Sequence, residues 1–228
     1  MYNTDYLRMS LSKAARQRKE FSMHENVQVY IKDQMPENID LQSILDKINL
    51  AIPPHLTSEI DSIYVGMFAE FEEMETNAMF KDGAVYVTND QDDEQDLIDD
   101  IVHEIAHSLE APYGHIIYAD GQLEKEFYNK RMRLYEILKS EGLKPSLKLF
   151  KDSEYNKEMD LYLYKKVGYD RLNFIVSSYG IFTSAYSATA LREYFASGFE
   201  YYFLDNRVYL EKICPVLYNK IKDLYQDD

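Results

Sequence analysis

The residues best suited to chemistry in this chain lie in one short stretch, residues 101–107, whose sequence is IVHEIAH. His103 and His107 are four residues apart, so on a helix both imidazoles lie on the same face, one turn apart. Both can then reach a single zinc ion, for which the usual Zn–N distance is about 2.0–2.1 Å. Glu104 is rotated by about 100° from His103, which suits a general base acting on water held by the metal.

The pattern HExxH fixes only three residues and also occurs on ordinary solvated helices. Here it lies within a run whose apolar residues recur at helical spacing. These residues are Ile98, Ile101, Val102, Ile105 and Leu109. The run therefore predicts an amphipathic helix with its back in a core and the two histidines facing a cleft.

Catalytic zinc takes three protein ligands and keeps one position for water. The chain has five histidines, and neither His24 nor His55 has a partner at ligand spacing. His115 does not complete the pattern HExxHxxGxxH, because Glu110 and Tyr113 stand where that pattern needs glycine and histidine. The third ligand is therefore expected among the carboxylates.

Glu193 is the preferred third ligand. It lies in an otherwise apolar and aromatic helical stretch, where a carboxylate costs free energy unless a cation compensates it. The small residues Ala196 and Ser197 would let this helix approach the HExxH helix closely. A salt bridge to Arg192, or a favourable charge at a helix N-terminus, is the alternative explanation for Glu193.

These motifs together resemble a known family. The sequence HEIAH, the later motif ExFAxxF that begins at Glu193, and Tyr186 seven residues before it resemble the lethal-factor-type gluzincins. That group comprises the catalytic domain of anthrax lethal factor and the Pro-Pro endopeptidases. The resemblance covers residues 62–204 approximately, and it differs at Ser197, where family members often carry an acidic residue.

The resemblance implies a zincin-like α+β fold and one zinc ion held by His103, His107 and Glu193. It also implies that Glu104 is the general base and that Tyr186 stabilises the oxyanion. The expected function is a zinc endopeptidase that hydrolyses peptide bonds of a protein substrate.

Two alternatives to this function stay open. One is an intracellular regulatory metalloprotease whose third ligand is Asp120, Glu124 or Glu126. The other is a catalytically silent zincin-fold module that binds a partner protein without cleaving it.

Composition narrows the choice of partner. With 228 residues, 46% of them hydrophobic, the chain is long enough for one sizeable domain. A net charge of −15 argues against a nucleic-acid partner. Part of the acidity is concentrated at the start of the HExxH helix, in Asp90, Asp92, Asp93, Glu94, Asp96, Asp99 and Asp100. We interpret this cluster as capping by Asn89 or Asp90 and as dipole complementarity; the alternative is a negative cleft rim that attracts basic substrates.

Compartment signals are few. The single cysteine, Cys214, excludes an intrachain disulfide and fits a reducing environment. We expect no transmembrane span, because no long apolar run occurs. The first twenty residues are basic and lack an apolar core, so they do not read as a secretory signal. The expectation is a cytoplasmic protein, with export by a route that uses no signal peptide as the alternative.

Periodicity predicts strands first and helices later, an α+β pattern. Predicted strands are 27–32, 62–67, 78–80 and 84–88, the last two joined by a turn at Lys81-Asp82-Gly83. Predicted helices besides the HExxH helix, which we expect to end at 111–114, are 39–50 after Asn38, 122–140, 153–166, 169–179, 190–204 and 208–225, with Pro215 as a kink in the last.

We expect a basic arm at 1–22, then a single domain at 23–228 with a sheet lobe at 23–110 and a helical lobe at 111–228. The segment from Asn77 to Phe80 is predicted to be an edge strand along the cleft, to which a peptide substrate adds as a further strand.

Overall fold

Short runs of β-branched and aromatic residues form a mixed five-stranded sheet in the computed structural model, which describes residues 21–24, 26–74 and 76–226. The strands are β1 (Phe21–Met23), β2 (Val27–Ile31), β3 (Ser62–Val65), β4 (Ala78–Lys81) and β5 (Ala84–Val87). Their order across the sheet is β1-β2-β3-β5-β4. The three central strands are parallel, and β1 and β4 run antiparallel at the two edges.

Successive side chains along the central strands point alternately to the two faces of the sheet. Val29, Ile63 and Val85 are in register and buried in the core. The neighbouring residues Tyr30, Tyr64 and Tyr86 are in register on the other face, where their rings stack with centroids 5.1 and 5.3 Å apart. The four predicted strands are therefore confirmed, and β4 is an edge strand as expected.

Ten α-helices are assigned within the residues that the structure describes. They are α1 (Leu41–Ala51), α2 (Ala69–Met74), α3 (Glu94–Ile117), α4 (Gln122–Ser140), α5 (Leu147–Lys151), α6 (Lys157–Leu161), α7 (Tyr169–Ser178), α8 (Leu191–Leu204), α9 (Arg207–Ile213) and α10 (Pro215–Gln226). Short 3-10 turns lie at Pro54–Thr57 and Tyr186–Ala188, and a π-helical turn at Tyr162–Val167 follows α6. None of the helices in the described ranges is both long enough and apolar enough to cross a membrane.

Helix α3 carries the HExxH motif and is longer than predicted. Its N-cap is Asp93, whose carboxylate accepts hydrogen bonds from the backbone of Gln95 and Asp96 at 2.7 and 3.1 Å, so the prediction of Asn89 or Asp90 was wrong. The predicted end at 111–114 was also wrong, because the helix continues through Pro112. Burial of Ile117, worth about 1.5–3 kcal/mol, offsets the cost of about 3 kcal/mol that an internal proline imposes.

Other helix boundaries in the structure differ from the predicted ones because of contacts that the periodicity of apolar residues does not reveal. Helix α1 is capped by Asp40 rather than Asn38. The predicted helix 208–225 is two helices that meet at Cys214, because Pro215 occupies the first position of α10. Glu126 from α4 accepts the next two backbone N–H groups, those of Val216 and Leu217, at 2.9 and 3.1 Å.

Three elements were not predicted: β1, α2 and α5. The predicted helix 153–166 begins at Lys157 and continues as the π-helical turn. The predicted arm at 1–22 overlaps β1 at Phe21 and Ser22, and its residues 1–20 lie outside the described ranges. The predicted lobe boundary at 110/111 falls inside α3, which packs against the sheet, α1 and α8.

Candidate metal centre

Two helices bring the three predicted ligands together. The apolar arc of α3, including Ile101 and Ile105, is fully buried, which turns His103 and His107 toward α8. Glu193 lies in the first turn of α8. Its Oε2 is 3.0 Å from Nε2 of His103 and 3.6 Å from Nε2 of His107, and the two Nε2 atoms are 3.1 Å apart.

These separations fit a tetrahedral ion. Ligand atoms bound at about 2.0–2.1 Å in a tetrahedron are about 3.3 Å from one another, and the three observed distances, 3.0, 3.1 and 3.6 Å, bracket that value. Two imidazoles and one carboxylate also form the ligand set of one class of catalytic zinc site. Among the described residues, these three are the group of histidine, cysteine and acidic side chains close enough to hold a metal ion.

Each histidine has a second carboxylate on its other ring nitrogen. Nδ1 of His103 is hydrogen-bonded to Glu200 of α8, and Nδ1 of His107 is 2.5 Å from Oε1 of Glu110. Such partners fix the ring orientation and leave Nε2 to face a metal. Oε2 of Glu110 also accepts a hydrogen bond of 2.7 Å from Arg192, so Arg192 pairs with Glu110.

Sequence reasoning missed the roles of Glu110 and Glu200, although signals for both exist. Glu200 follows Glu193 by seven residues, two helical turns, which places both carboxylates on the same face of α8. Glu110 follows His107 by three residues, a neighbouring position on α3. Ser197 lies between Glu193 and Glu200 in sequence and is buried, and it is Glu200 that contacts Nδ1 of His103.

The carboxylates also determine the charges in the cluster. Burial alone lowers the pKa of His103, but hydrogen bonds to Glu193 and Glu200 raise it well above its ordinary value. For His107, burial lowers the pKa, whereas Glu110 and Glu193 raise it, to about 8. Burial raises the pKa of Glu193, and the hydrogen bonds from both histidines outweigh it and hold that pKa far below its usual range. A metal that binds Nε2 must therefore displace protons.

Glu104 lies between the metal cluster and the edge of the sheet. Its side chain is buried, and Oε2 accepts a hydrogen bond of 2.6 Å from the backbone N–H of Phe80 in β4. Burial raises the pKa of Glu104, opposed by the positive charges of His107 and His103. The candidate base is thus oriented by the edge strand.

Tyr186 lies beside His103. It is in the 3-10 turn that precedes α8, with its ring centroid 5.9 Å from that of His103, and it is 41% exposed. Burial of the hydroxyl and the negative charge of Glu193 raise the pKa of Tyr186, so the phenol keeps its proton at neutral pH.

The alternative third ligands lie elsewhere. Asp120 pairs with Lys220 at 2.8 Å, Glu124 accepts a hydrogen bond from Ser153 at 3.1 Å, and Glu126 caps α10. The three remaining histidines are also apart from the cluster: the backbone N–H of His24 donates to Asn49, His55 Nε2 is 3.1 Å from the carbonyl of Leu224, and His115 is exposed on α3.

Part of the acidic cluster lies beside the metal centre. Gln91 and Gln95 donate hydrogen bonds to Asp100 and Asp99 at 2.8 and 2.7 Å. Burial raises the pKa of Asp99 to about 6, opposed by the bond from Gln95 and reinforced by the charge of Glu200.

Comparisons with protein-family models, with curated proteins and with solved structures find no match to this chain.

Proposed function

We propose that this protein is a zinc-dependent endopeptidase with a zincin-like fold. The observation that carries the proposal is the triangle of His103, His107 and Glu193, with the buried carboxylate of Glu104 beside it. The resemblance to lethal-factor-type gluzincins supports the same assignment, because it names these residues and Tyr186 in these roles.

A zinc ion bound by these residues supplies Lewis-acid chemistry: it polarises a peptide carbonyl and lets water ionise near neutral pH. His103 and His107 offer Nε2 to the ion, and Glu200 and Glu110 hold the Nδ1 protons and thereby the ring orientations.

Glu104 accepts the proton of the attacking water and delivers it to the leaving amine. Its hydrogen bond to Phe80 fixes one oxygen, Oε2, and leaves Oε1 to act on the water. Its raised pKa suits this task, because a general base works best when its pKa approaches the working pH.

Tyr186 donates a hydrogen bond to the oxyanion that develops on the substrate. Its raised pKa keeps the hydroxyl protonated, and its partial exposure leaves it accessible from the cleft. Donors of this kind typically contribute about 2.7–4 kcal/mol to stabilisation of the transition state.

The substrate strand is proposed to bind antiparallel or parallel to β4, at the open edge of the sheet. In the β4–β5 hairpin, Asn77 accepts a hydrogen bond from Thr88, so by alternation the backbone of Ala78 and Phe80 faces the open edge. The Phe80 N–H is bound to Glu104 and the Ala78 carbonyl to Thr76. The Ala78 N–H and the Phe80 carbonyl are the groups proposed to pair with substrate.

Three proteins test the proposal: wild type, Glu104→Gln and Glu193→Ala, each incubated with a proteome-derived peptide mixture and analysed by mass spectrometry. Metal content is measured by elemental analysis. Wild type should contain about one zinc ion and cleave peptides, Glu104→Gln should keep zinc and lose cleavage, and Glu193→Ala should lose both.

Glu211→Gln on α9 removes an exposed carboxylate and should behave as wild type. A wild-type protein that holds zinc but cleaves nothing would favour the silent binding module. Full zinc occupancy in Glu193→Ala would show that the third ligand is a residue other than Glu193.

A further inference from the structure

A cavity lies away from the candidate metal centre, where α4, the end of α7 and α9 meet. Its volume is about 650 Å³, and it is lined by Asn129, Lys130 and Arg133 of α4, by Ser177 and Ser178 of α7, and by Lys212 of α9, among others. None of the metal-centre residues lines it. We call it the α4–α9 pocket.

The charge of the α4–α9 pocket is opposite to that of the chain. Three cationic side chains, Lys130, Arg133 and Lys212, line it, and no acidic residue is among its described lining residues. The chain as a whole carries a net charge of −15. Three cations gathered without a carboxylate repel one another, and an anionic ligand relieves that repulsion.

Two of these cations are also unpaired within the part of the chain that the structure describes. Arg133 and Lys212 are exposed and form no ion pair with any described residue. The guanidinium and ammonium groups at this pocket are thus available to a ligand.

The third cation is held in place. Lys130 Nζ donates hydrogen bonds of 2.6 Å to the carbonyls of Ile181 and Ile213, which lie on two different segments of the pocket wall. The ammonium also contacts the thiol of Cys214, so Lys130 contributes a fixed positive charge to the pocket wall rather than a free donor. A fixed ammonium costs less entropy to engage than a free lysine side chain.

We propose that the α4–α9 pocket binds a small phosphorylated molecule. Arg133 presents the planar fork that matches phosphate oxygens, and Lys130 and Lys212 add point charges. The hydroxyls of Ser177 and Ser178 and the amide of Asn129 supply neutral donors. The cavity volume lies within the range of about 300–1,000 Å³ typical of small-molecule sites, and the rings of Tyr179 and Tyr209 offer apolar surface for the organic part.

This proposal is independent of peptidase activity, so binding is measured directly by isothermal titration calorimetry. The probes are inorganic phosphate, pyrophosphate and adenosine monophosphate, at ionic strength matched with chloride. The variant Arg133→Gln/Lys212→Gln removes the two unpaired charges, whereas Lys144→Gln/Lys148→Gln makes the same charge change at exposed positions outside the pocket.

We expect adenosine monophosphate to bind the wild type more tightly than inorganic phosphate does. Arg133→Gln/Lys212→Gln should weaken binding by about tenfold or more, and the matched control should bind as wild type. Arg133→Lys/Lys212→Arg keeps both charges, so it should bind more tightly than Arg133→Gln/Lys212→Gln even though the guanidinium at position 133 is lost; this separates loss of charge from loss of fold.

Three results would overturn the proposal. One is the absence of binding by all three probes. Another is equal affinity in both double-glutamine variants, which would place the anion at the metal centre or on the general surface. The third is inorganic phosphate binding as tightly as adenosine monophosphate, which would remove the organic ligand from the proposal.

Discussion

Glu200 and Glu110 are outside the HExxH pattern, yet each binds the ring nitrogen that points away from the candidate metal. A neutral imidazole that coordinates through Nε2 carries its proton on Nδ1, and a carboxylate there selects that tautomer. We therefore propose that the two glutamates position His103 and His107 as candidate metal ligands.

Removing either positioning residue should weaken zinc binding. We expect about 10–100-fold lower affinity for Glu200→Ala and for Glu110→Ala, and a smaller loss for the glutamine variants, whose amide oxygen still accepts from Nδ1. Competition with a zinc chelator measures the affinity. Glu211→Gln, an exposed carboxylate on α9, serves as the control, and unchanged affinity in Glu200→Ala would show that this contact does not orient His103.

Tyr186→Phe should lower turnover without removing the metal. Loss of one oxyanion donor typically costs about 10²–10³-fold in kcat, and KM and zinc content should change little because the hydroxyl is not a proposed ligand. Peptide cleavage kinetics measure both constants. Tyr128→Phe, which removes a hydroxyl from a tyrosine of similar exposure (38% against 41%), is the matched control; equal rates in the two variants would remove Tyr186 from the mechanism.

Much of the candidate site follows from residue types and spacing in the sequence. His103, Glu104 and His107 follow from the spacing of one helix, and Glu193 follows from the cost of a carboxylate among aromatic residues. Glu110 and Glu200 were missed because an acidic residue on a helix surface is ordinary in sequence. Only the packing of α3 against α8 shows which acidic side chains reach the histidines.

At the scale of elements, helix α8 carries both Glu193 and Glu200. The packing of α8 in the core therefore sets the positions of both carboxylates. A Cβ at Gly198 would lie 2.2 Å from Cδ2 and 2.8 Å from Cγ of Leu217 in α10. The absence of a side chain there permits the close approach of α8 and α10.

Gly198→Ala should lower the free energy of unfolding by about 1–3 kcal/mol, the usual cost of overpacking a core, because Leu217 must move. Urea unfolding measures it. Gly114→Ala in α3 is the matched control: its Cβ would meet no atom within 4 Å, and it should raise the stability by about 0.5–1 kcal/mol. A Gly198→Ala protein as stable as wild type would show that α10 can move to accommodate the added methyl group without loss of stability.

The periodicity of apolar residues in the sequence is sufficient to predict some element boundaries and not others. Helix α4 matches the predicted 122–140, and the predicted hairpin turn has Asp82 and Gly83 at φ of 51° and 76°, as a two-residue turn requires. The end of α3 and the break at Cys214 depend on burial of Ile117 and on capping by Glu126. Those contacts come from distant parts of the chain, so local pattern does not reveal them.

At the scale of the whole molecule, burial of acidic side chains lowers the free energy of unfolding at neutral pH. The carboxylates of Asp99 and Asp100 lie beside the candidate metal centre in a chain of net charge −15, and burial raises the pKa of both. An acid whose folded pKa is raised binds its proton more tightly in the folded state than in the unfolded state. Such a group makes the folded state less stable as the pH rises.

For Asp99, folding raises the pKa from 3.8 to about 6. Below pH 3.8 Asp99 is protonated in both the folded and the unfolded state, so it does not change the free energy of unfolding. Between the two values the unfolded state loses its proton first, so the free energy of unfolding falls, and above about 6 the penalty is constant. Asp99→Asn should therefore stabilise the protein near neutral pH and have little effect below the ordinary aspartate pKa.

The expected gain near neutral pH is about 1 kcal/mol, because partial exposure reduces the electrostatic effect, and asparagine can keep the hydrogen bond from Gln95. Urea unfolding across the acidic and neutral range measures it. Asp96→Asn makes the same charge change at an exposed position one turn earlier on α3 and should not reproduce the pH-dependent gain. A gain that is the same at every pH, or that appears equally in Asp96→Asn, would assign the effect to net charge rather than to burial of Asp99.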